Sequence, residues 1–526
     1  MDDEEKYIYT AVTFAPVQGF IEKSRKLRDL YGASALLSYM SQKIIDGAKK
    51  LDMHVISPAG FNVGQGTPNR ILIRGNFSEK EAREVFLSGW KEVIYQCKQW
   101  LDDNLRHVGP YYWDQEWNHW ANHSWEIFWA QGDSPTSVMQ ELETSKLARN
   151  WIGINWIGES SSLTGADGIA FPGMGGTKRN PANIDYAREK EQIENFYTEL
   201  AEITGSATTL EIQGEFIDPS EKLSIPELTK RLVTLPNIAR KIDKFPVVEG
   251  FQKIQRGHDL EIDESGQWTG WFMGDGDEVG KHLQKIAGSK GDLGLEEFSH
   301  AMQKWGDNFQ KKFGDDTPGV QGRVIYAGGD DFLGVIYSTN PKKPILLFTA
   351  YEWLTNLNNR WQEHEQPITL SVGFVWSAGG VPQRDVLQHC RKTQKIAKSN
   401  GRNRVTIRVL FNSGQYVQWT CPWNYLYVIK NYRDRDGKTY SEWESTGRND
   451  HFKPNWNHIF SDLAQLKARH AIELHSDSYT SKYLAIKLFN IYFENGEKLL
   501  EIMDIDNTTK WINDLINVGW HICTSI

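Results

Sequence analysis

The sequence predicts an α+β protein with two ferredoxin-like domains, a mostly helical middle and a helical C-terminal region. Three observations predict it. A strand–helix–hairpin–helix–strand order recurs, once over residues 1–134 and again over 263–419. The second copy contains Tyr326-Ala327-Gly328-Gly329-Asp330-Asp331-Phe332-Leu333-Gly334, two adjacent carboxylates set in an apolar hairpin. Residues 135–262 read as mostly helical and irregular, and residues 420–526 as a helical tail with periodic segments.

A length of 526 residues suffices for three or four domains with cores of their own. Hydrophobic residues make up 39% and charged residues 24%, as in ordinary globular proteins. No run approaches the ~18 apolar residues of a membrane span. The acidic start Met1-Asp2-Asp3-Glu4-Glu5-Lys6 is not a signal peptide. Cys97, Cys390, Cys421 and Cys523 are scattered, which suits a reducing cytoplasm. None forms a C-x-x-C pair, so no structural zinc is expected. A net charge of −9 argues against bulk affinity for nucleic acid and leaves RNA binding to local basic patches or to partner subunits.

The first domain opens with an alternating strand over residues 7–15, then a long helical region, Gln18–Lys49. At its start Lys23, Arg25, Lys26 and Arg28 form a basic cluster, read either as a solvated helix face or as a surface for RNA or a neighbouring subunit. His54–Pro58 and Arg70–Arg74 read as strands. Ser78–Arg106 reads as a helix capped by Ser78, with Glu79, Glu81 and Glu84 in its first turns. His123–Gln131 is the fourth strand. Trp113, Trp117 and Trp120 sit at helical spacing, which points to core. No acidic hairpin appears in this copy, so it is expected to be catalytically silent. In the middle region, residues 161–183 read as a long loop around Phe171–Arg179 that lacks the GK[ST] order of a P-loop.

The second domain begins with the apolar strand Trp271–Gly274, which ends in Asp275-Gly276-Asp277. Gly288–Gly294 reads as a flexible connection to a helix at Glu296–Phe313. After the acidic hairpin come a helix at Lys342–Arg360, a strand at Thr369–Trp376, a helix at Asp385–Ala397 and a strand at Thr406–Leu410. In the tail, Ser461–Glu473, Tyr479–Phe493 and Glu497–Met503 are periodic.

Adjacent carboxylates in an apolar hairpin are costly without a cation, because both cannot ionise cheaply. Gly-Gly-Asp-Asp is also a good solvated turn. If the Asp275 strand pairs beside the hairpin, Asp275, Asp330 and Asp331 converge, with Asp277 close behind. Such a group suits one or two Mg²⁺ (or Mn²⁺) ions that share ligands with the phosphates of a nucleoside triphosphate and promote in-line phosphoryl transfer. Gly276, Gly328 and Gly329 would leave room for the nucleotide. Lys398 would meet phosphate as a point charge and Arg402 as a fork.

Together the Asp-Gly-Asp strand end, the GGDD hairpin, Ala397-Lys398-Ser399-Asn400-Gly401-Arg402-Asn403-Arg404-Val405, and the N-terminal Pro16-Val17-Gln18-Gly19-Phe20-Ile21 with Arg25-Lys26-Leu27-Arg28-Asp29-Leu30 resemble the large, palm-domain subunit of type III CRISPR effector complexes, in its Cmr-type (III-B) branch. The likeness covers roughly residues 7–45 and 270–415. It implies an RNA-activated nucleotidyltransferase that makes cyclic oligoadenylate from ATP. Its implied partners are guide and target RNA and the other complex subunits, in the cytoplasm and without a membrane. Many members open with an HD nuclease domain. Here the palm-like segment begins at about Tyr7, and His258-Asp259 lacks surrounding histidines, so no HD nuclease activity is expected. A scaffold holding the 5′ end of the guide RNA with idle palm motifs, or a stand-alone nucleotide cyclase, are the alternatives. The duplicated palm and the PVQ segment argue against the cyclase.

Overall fold

The computed structural model describes residues 7–60, 66–149, 153–175, 182–206, 216–247, 268–338, 343–474, 479–493, 500 and 507–524. His258-Asp259, part of the Phe171–Arg179 loop and all of Glu497–Met503 except Leu500 lie outside them. The chain divides into two compact units. Residues 1–253, 280–307 and 325–329 form the first, and residues 254–279, 308–324 and 330–526 the second.

The first unit starts with β1 (Tyr9–Ala15), α1 (Gln18–Glu22), α2 (Leu27–Lys50), β2 (His54–Ser57), β3 (Ile71–Arg74), α3 (Glu79–Asn104), α4 (Asp114–His123) and β4 (Glu126–Gly132). Its sheet has the order β2-β3-β1-β4, antiparallel throughout, which is the ferredoxin-like arrangement. The helix expected over Gln18–Lys49 is broken in two. The cause is Asp29, whose carboxylate accepts the backbone N–H groups of Arg25 and Lys26, each at 2.9 Å, and so starts a new helix. Ser78 caps α3 as expected, exchanging bonds with Glu81. Trp113 and Trp117 are fully buried, and Trp120 packs against the same core.

The unit continues with α5 (Pro135–Leu147), α6 (Tyr186–Ser206), α7 (Ile225–Leu232) and α8 (Pro236–Ala239). Here the basic cluster finds its partners. Lys23 pairs with Asp167 at 2.8 Å, and Lys26 and Arg25 pair with Glu221 at 3.0 and 3.5 Å. Arg28 is buried, bonded to Thr234 and laid over the Phe216 ring. Lys23, Arg25 and Lys26 thus pair with acids of the same unit, Lys23 and Arg25 while still partly exposed, and Arg28 is buried. Beneath it, the buried Arg231 of α7 bridges Asp29 (2.8 and 2.9 Å) and Glu221 (2.6 Å).

Next along the chain come β5 (Thr269–Gly276), α9 (Val279–Lys311), β6 (Gly322–Ala327), β7 (Asp331–Ile336), α10 (Leu347–Gln362), β8 (Leu370–Ser377), α11 (Gln383–Ser399), β9 (Arg404–Leu410) and β10 (Tyr416–Pro422). The sheet order is β10-β9-β8-β5-β7-β6. Its β8-β5-β7-β6 part repeats the ferredoxin-like order. Through α11 the chain adds β9 parallel to β8, and β10 then turns back antiparallel as the edge. The sequence pattern did not reveal β10, which straddles the expected boundary at residue 419. A core of aromatic rings, among them Phe272, Phe309, Phe332 and Trp353, packs under the sheet. A Cβ on Gly274 would lie 2.1 Å from the Phe332 ring, so a glycine is required there.

Two boundaries differ from expectation. Gly288–Gly294 is no loose connection: it lies within α9, which kinks at Gly291 (φ 59°, ψ −146°). Most of α9 belongs by packing to the first unit. Leu283, Ile286 and Leu295 cover the face of its sheet that holds Tyr9, Ala11 and Phe128, and Asp292 pairs with Arg74 at 2.9 Å. The tail holds α12 (Tyr440–Ser445), α13 (Asn457–Ala468), α14 (Tyr479–Tyr492) and α15 (Thr508–Thr524). The last was not foreseen; its Trp511 indole donates to the Thr420 carbonyl of β10 at 2.9 Å. The four cysteines are buried and free. Among the described residues no helix is long and apolar enough to cross a membrane.

Candidate active site

The site lies at the end of β5, where an apolar strand gives way to Asp275-Gly276-Asp277. Pairing of β5 with β7 sets Asp275 directly opposite Asp331, and pairing with β8 sets it opposite Ser371. Directly opposed residues of an antiparallel pair share a face of the sheet, so the two carboxylates meet. Asp330 is tied in next to them, its carbonyl accepting the Gly276 N–H at 2.7 Å. A Cβ on Gly276 would come within 2.8 Å of Val279 and 3.2 Å of Asp330, so the glycine allows this close approach.

Crowding by protein atoms, then the charges of Asp330 and Asp275, push the Asp331 carboxyl up to about 7, while Lys398 pulls it down. The Asp331 side chain nevertheless reaches solvent. The neighbouring carboxylates Asp330 and Asp275 add to the raised value. Lys398, near the end of α11, forms an ion pair with Asp275. It stands where a cation relieves part of the repulsion, rather than free for phosphate as the sequence alone suggested.

Asp277 is placed differently. It is buried, and its oxygens accept from Thr369 Oγ1 (2.8 Å), Ser371 Oγ (2.7 Å) and the Asn403 N–H (2.9 Å). These bonds engage both oxygens and fix the position of the carboxylate. They hold the turn after α11, where Gly401, Arg402 and Asn403 all have positive φ. Arg402 itself is exposed beside the site. The roles of Thr369 and Ser371 were not foreseen; their one signal is the polar, alternating pair at the start of an otherwise apolar strand. Gly328 and Gly329 precede the acidic pair, but the space at Gly328 is filled by protein: a Cβ there would lie 2.1 Å from the Gly66 carbonyl oxygen.

Among the described residues, no group of three or more His, Cys, Asp or Glu side chains is arranged to hold a metal by itself. Magnesium commonly takes only one or two carboxylates and completes its shell with water and substrate phosphates. Asp275 and Asp331, opposed and mutually repelling, fit that pattern of hard oxygen donors.

Residues 269–406 match the family described as Cas10/Cmr2, second palm domain, and residues 9–63 match CRISPR-associated protein Cmr2, N-terminal. No curated protein matches the chain. Among solved structures, a Csm1-Csm4 cassette in complex with AMPPNP is similar over 99% of this chain and 70% of that one, at 14% identity and a TM-score of 0.50. The cassette in complex with cA4 gives 98% and 70%, 14% and 0.49. The cassette with one ATP gives 99% and 70%, 14% and 0.48. At this identity the first likeness speaks for the fold.

Proposed function

We propose that this chain is a member of the Cas10/Cmr2 family, the large subunit of a type III CRISPR effector complex, and that it joins ATP into cyclic oligoadenylate when target RNA pairs with the guide RNA. The observation that carries the reading is the register that opposes Asp275 to Asp331, beside Asp330 and Lys398. The adenine nucleotide is carried over from the cassette that holds AMPPNP. We further propose the Cmr-type branch, on the N-terminal match to Cmr2.

In the reaction the 3′-oxygen of one nucleotide bonds to the α-phosphorus of the next. The bond from that phosphorus to the β-phosphate oxygen breaks, pyrophosphate leaves, and the hydroxyl proton passes to water. Asp275 and Asp331 would hold Mg²⁺ or Mn²⁺, which when bound lowers the pKa of the attacking hydroxyl. Lys398, once Asp275 is engaged elsewhere, turns its charge to the phosphates. Arg402 adds a fork from the adjoining turn, whose backbone Asp277 fixes. Asp330 anchors the hairpin to Gly276 and keeps the acidic pair in register.

Radiolabelled ATP is the test, given to the purified chain and to the assembled complex with and without matched RNA. Product from the complex with RNA alone is expected, and Asp330→Ala with Asp331→Ala should remove it while the complex still assembles. Undiminished product from that variant would refute the site. Product from the isolated chain would favour a stand-alone cyclase, and none from any mixture an idle scaffold.

A further inference from the structure

At the other edge of the same sheet, away from the acidic residues, sits a guanidinium with no carboxylate. Arg408 of β9 is 2% exposed. Its Nη1 donates to His389 Nδ1 of α11 at 2.6 Å, its Nη2 to Gln418 Oε1 of β10 at 2.5 Å, and the Tyr416 ring lies 3.8 Å away. Its Nε is buried without a partner. A buried charge held only by neutral groups is costly unless an anion shares the site.

The guanidinium also fixes its neighbours. An arginine can only donate, so His389 Nδ1 must accept, and the ring proton of the neutral imidazole sits on Nε2. Gln418 accepts through its oxygen, which leaves its amide NH₂ as donor. Neither donor has a partner among the described residues. Tyr416 is 48% exposed over this trio.

The charge of the adjoining helix points the same way. Between Gln383 and Leu410 the chain has many lysines and arginines against one acid, Asp385, in a protein of net charge −9. Lys392, one turn beyond His389 on α11, is exposed and has no ion-pair partner among the described residues.

We propose that this edge, formed by Arg408, His389, Tyr416, Gln418 and Lys392, binds single-stranded nucleic acid. The fixed donors and the lysine take phosphates, and the exposed Tyr416 ring, backed by a buried cation, stacks an unpaired base. A duplex offers phosphates but no free base face, so the site favours single strands. The inference stands whether or not the chain makes oligoadenylate.

Fluorescence anisotropy of the full chain with a labelled single-stranded oligonucleotide, as RNA and as DNA, tests it. Tyr416→Ala should weaken binding about tenfold. Lys392→Glu should lower the slope of log affinity against log salt by about 0.7 for each phosphate no longer neutralised. Gln418→Glu gives Arg408 a carboxylate and so preserves the fold while weakening binding; its melting temperature reports that the fold is kept. Wild-type binding of RNA or DNA that falls in all three variants supports the site. Unchanged affinity and salt slope in the folded variants would overturn it, as would equal affinity for a duplex of the same length or equal competition by polyglutamate.

Discussion

At the residue scale, one carboxylate shows the charge balance of the site. Asp331 titrates near 7 in the folded chain and at about 3.9 when unfolded. A carboxyl whose folded value is raised contributes stability that is fully present below the unfolded value and lost as pH rises through the folded one. Without divalent ions, the melting temperature of the wild type should therefore fall relative to Asp331→Asn between pH 5 and 8. Calorimetry at several pH values measures this, and adding Mg²⁺ at pH 8 should raise the wild type more than the variant. A gap independent of pH would mean the raised value is wrong. Asp277, two residues from Asp275, is held differently: three donors engage its two oxygens. The DxD spacing was legible in the sequence. Which aspartate takes these bonds was not, because that depends on Thr369, Ser371 and Asn403 arriving from distant segments.

At the scale of elements, α2 and α7 are clamped by a buried ion pair. Burial alone would raise Asp29, but the Arg231 guanidinium overrides it and holds the carboxyl at about 2. Here the folded value lies below the unfolded one, so the contribution is present above about pH 3.9 and is lost as pH falls toward 2. Asp29→Asn should cost roughly 3–5 kcal/mol at neutral pH, since it leaves Arg231 buried with one partner fewer. Denaturation curves at pH 7 and pH 3 should show that cost shrinking in acid. The kink of α9 offers a separate test. Gly291 holds a backbone conformation open essentially to glycine, and a Cβ there would meet nothing within 4 Å. Gly291→Ala should thus lose about 1–3 kcal/mol from backbone strain alone; an unchanged denaturation midpoint would show that the kink relaxes freely.

At the scale of the whole molecule, chain order and packing disagree. Residues 280–307 follow the first strand of the second domain in sequence, yet they pack within the first unit. A fragment of residues 263–526, cut at the boundary the sequence suggests, would expose Leu283, Ile286 and Leu295. We expect it to aggregate when expressed alone, whereas the full chain stays dispersed. Size-exclusion chromatography of both decides this, and a monodisperse, folded fragment would contradict the packing described.

The sequence by itself determined both ferredoxin-like strand orders, the Ser78 cap, the burial of Trp113 and Trp117, and the acids Asp275, Asp330 and Asp331 as candidates. These are local signals: periodicity, capping chemistry, and charges out of place in apolar strands. Only the tertiary structure decided that Lys398 pairs with Asp275, that Lys23, Arg25 and Lys26 pair with acids of the first unit, that α9 serves the first unit, and that Arg408 is buried without an acid. Each of those outcomes depends on which residues, often far apart in sequence, come to share a surface, and sheet register and burial settle that together.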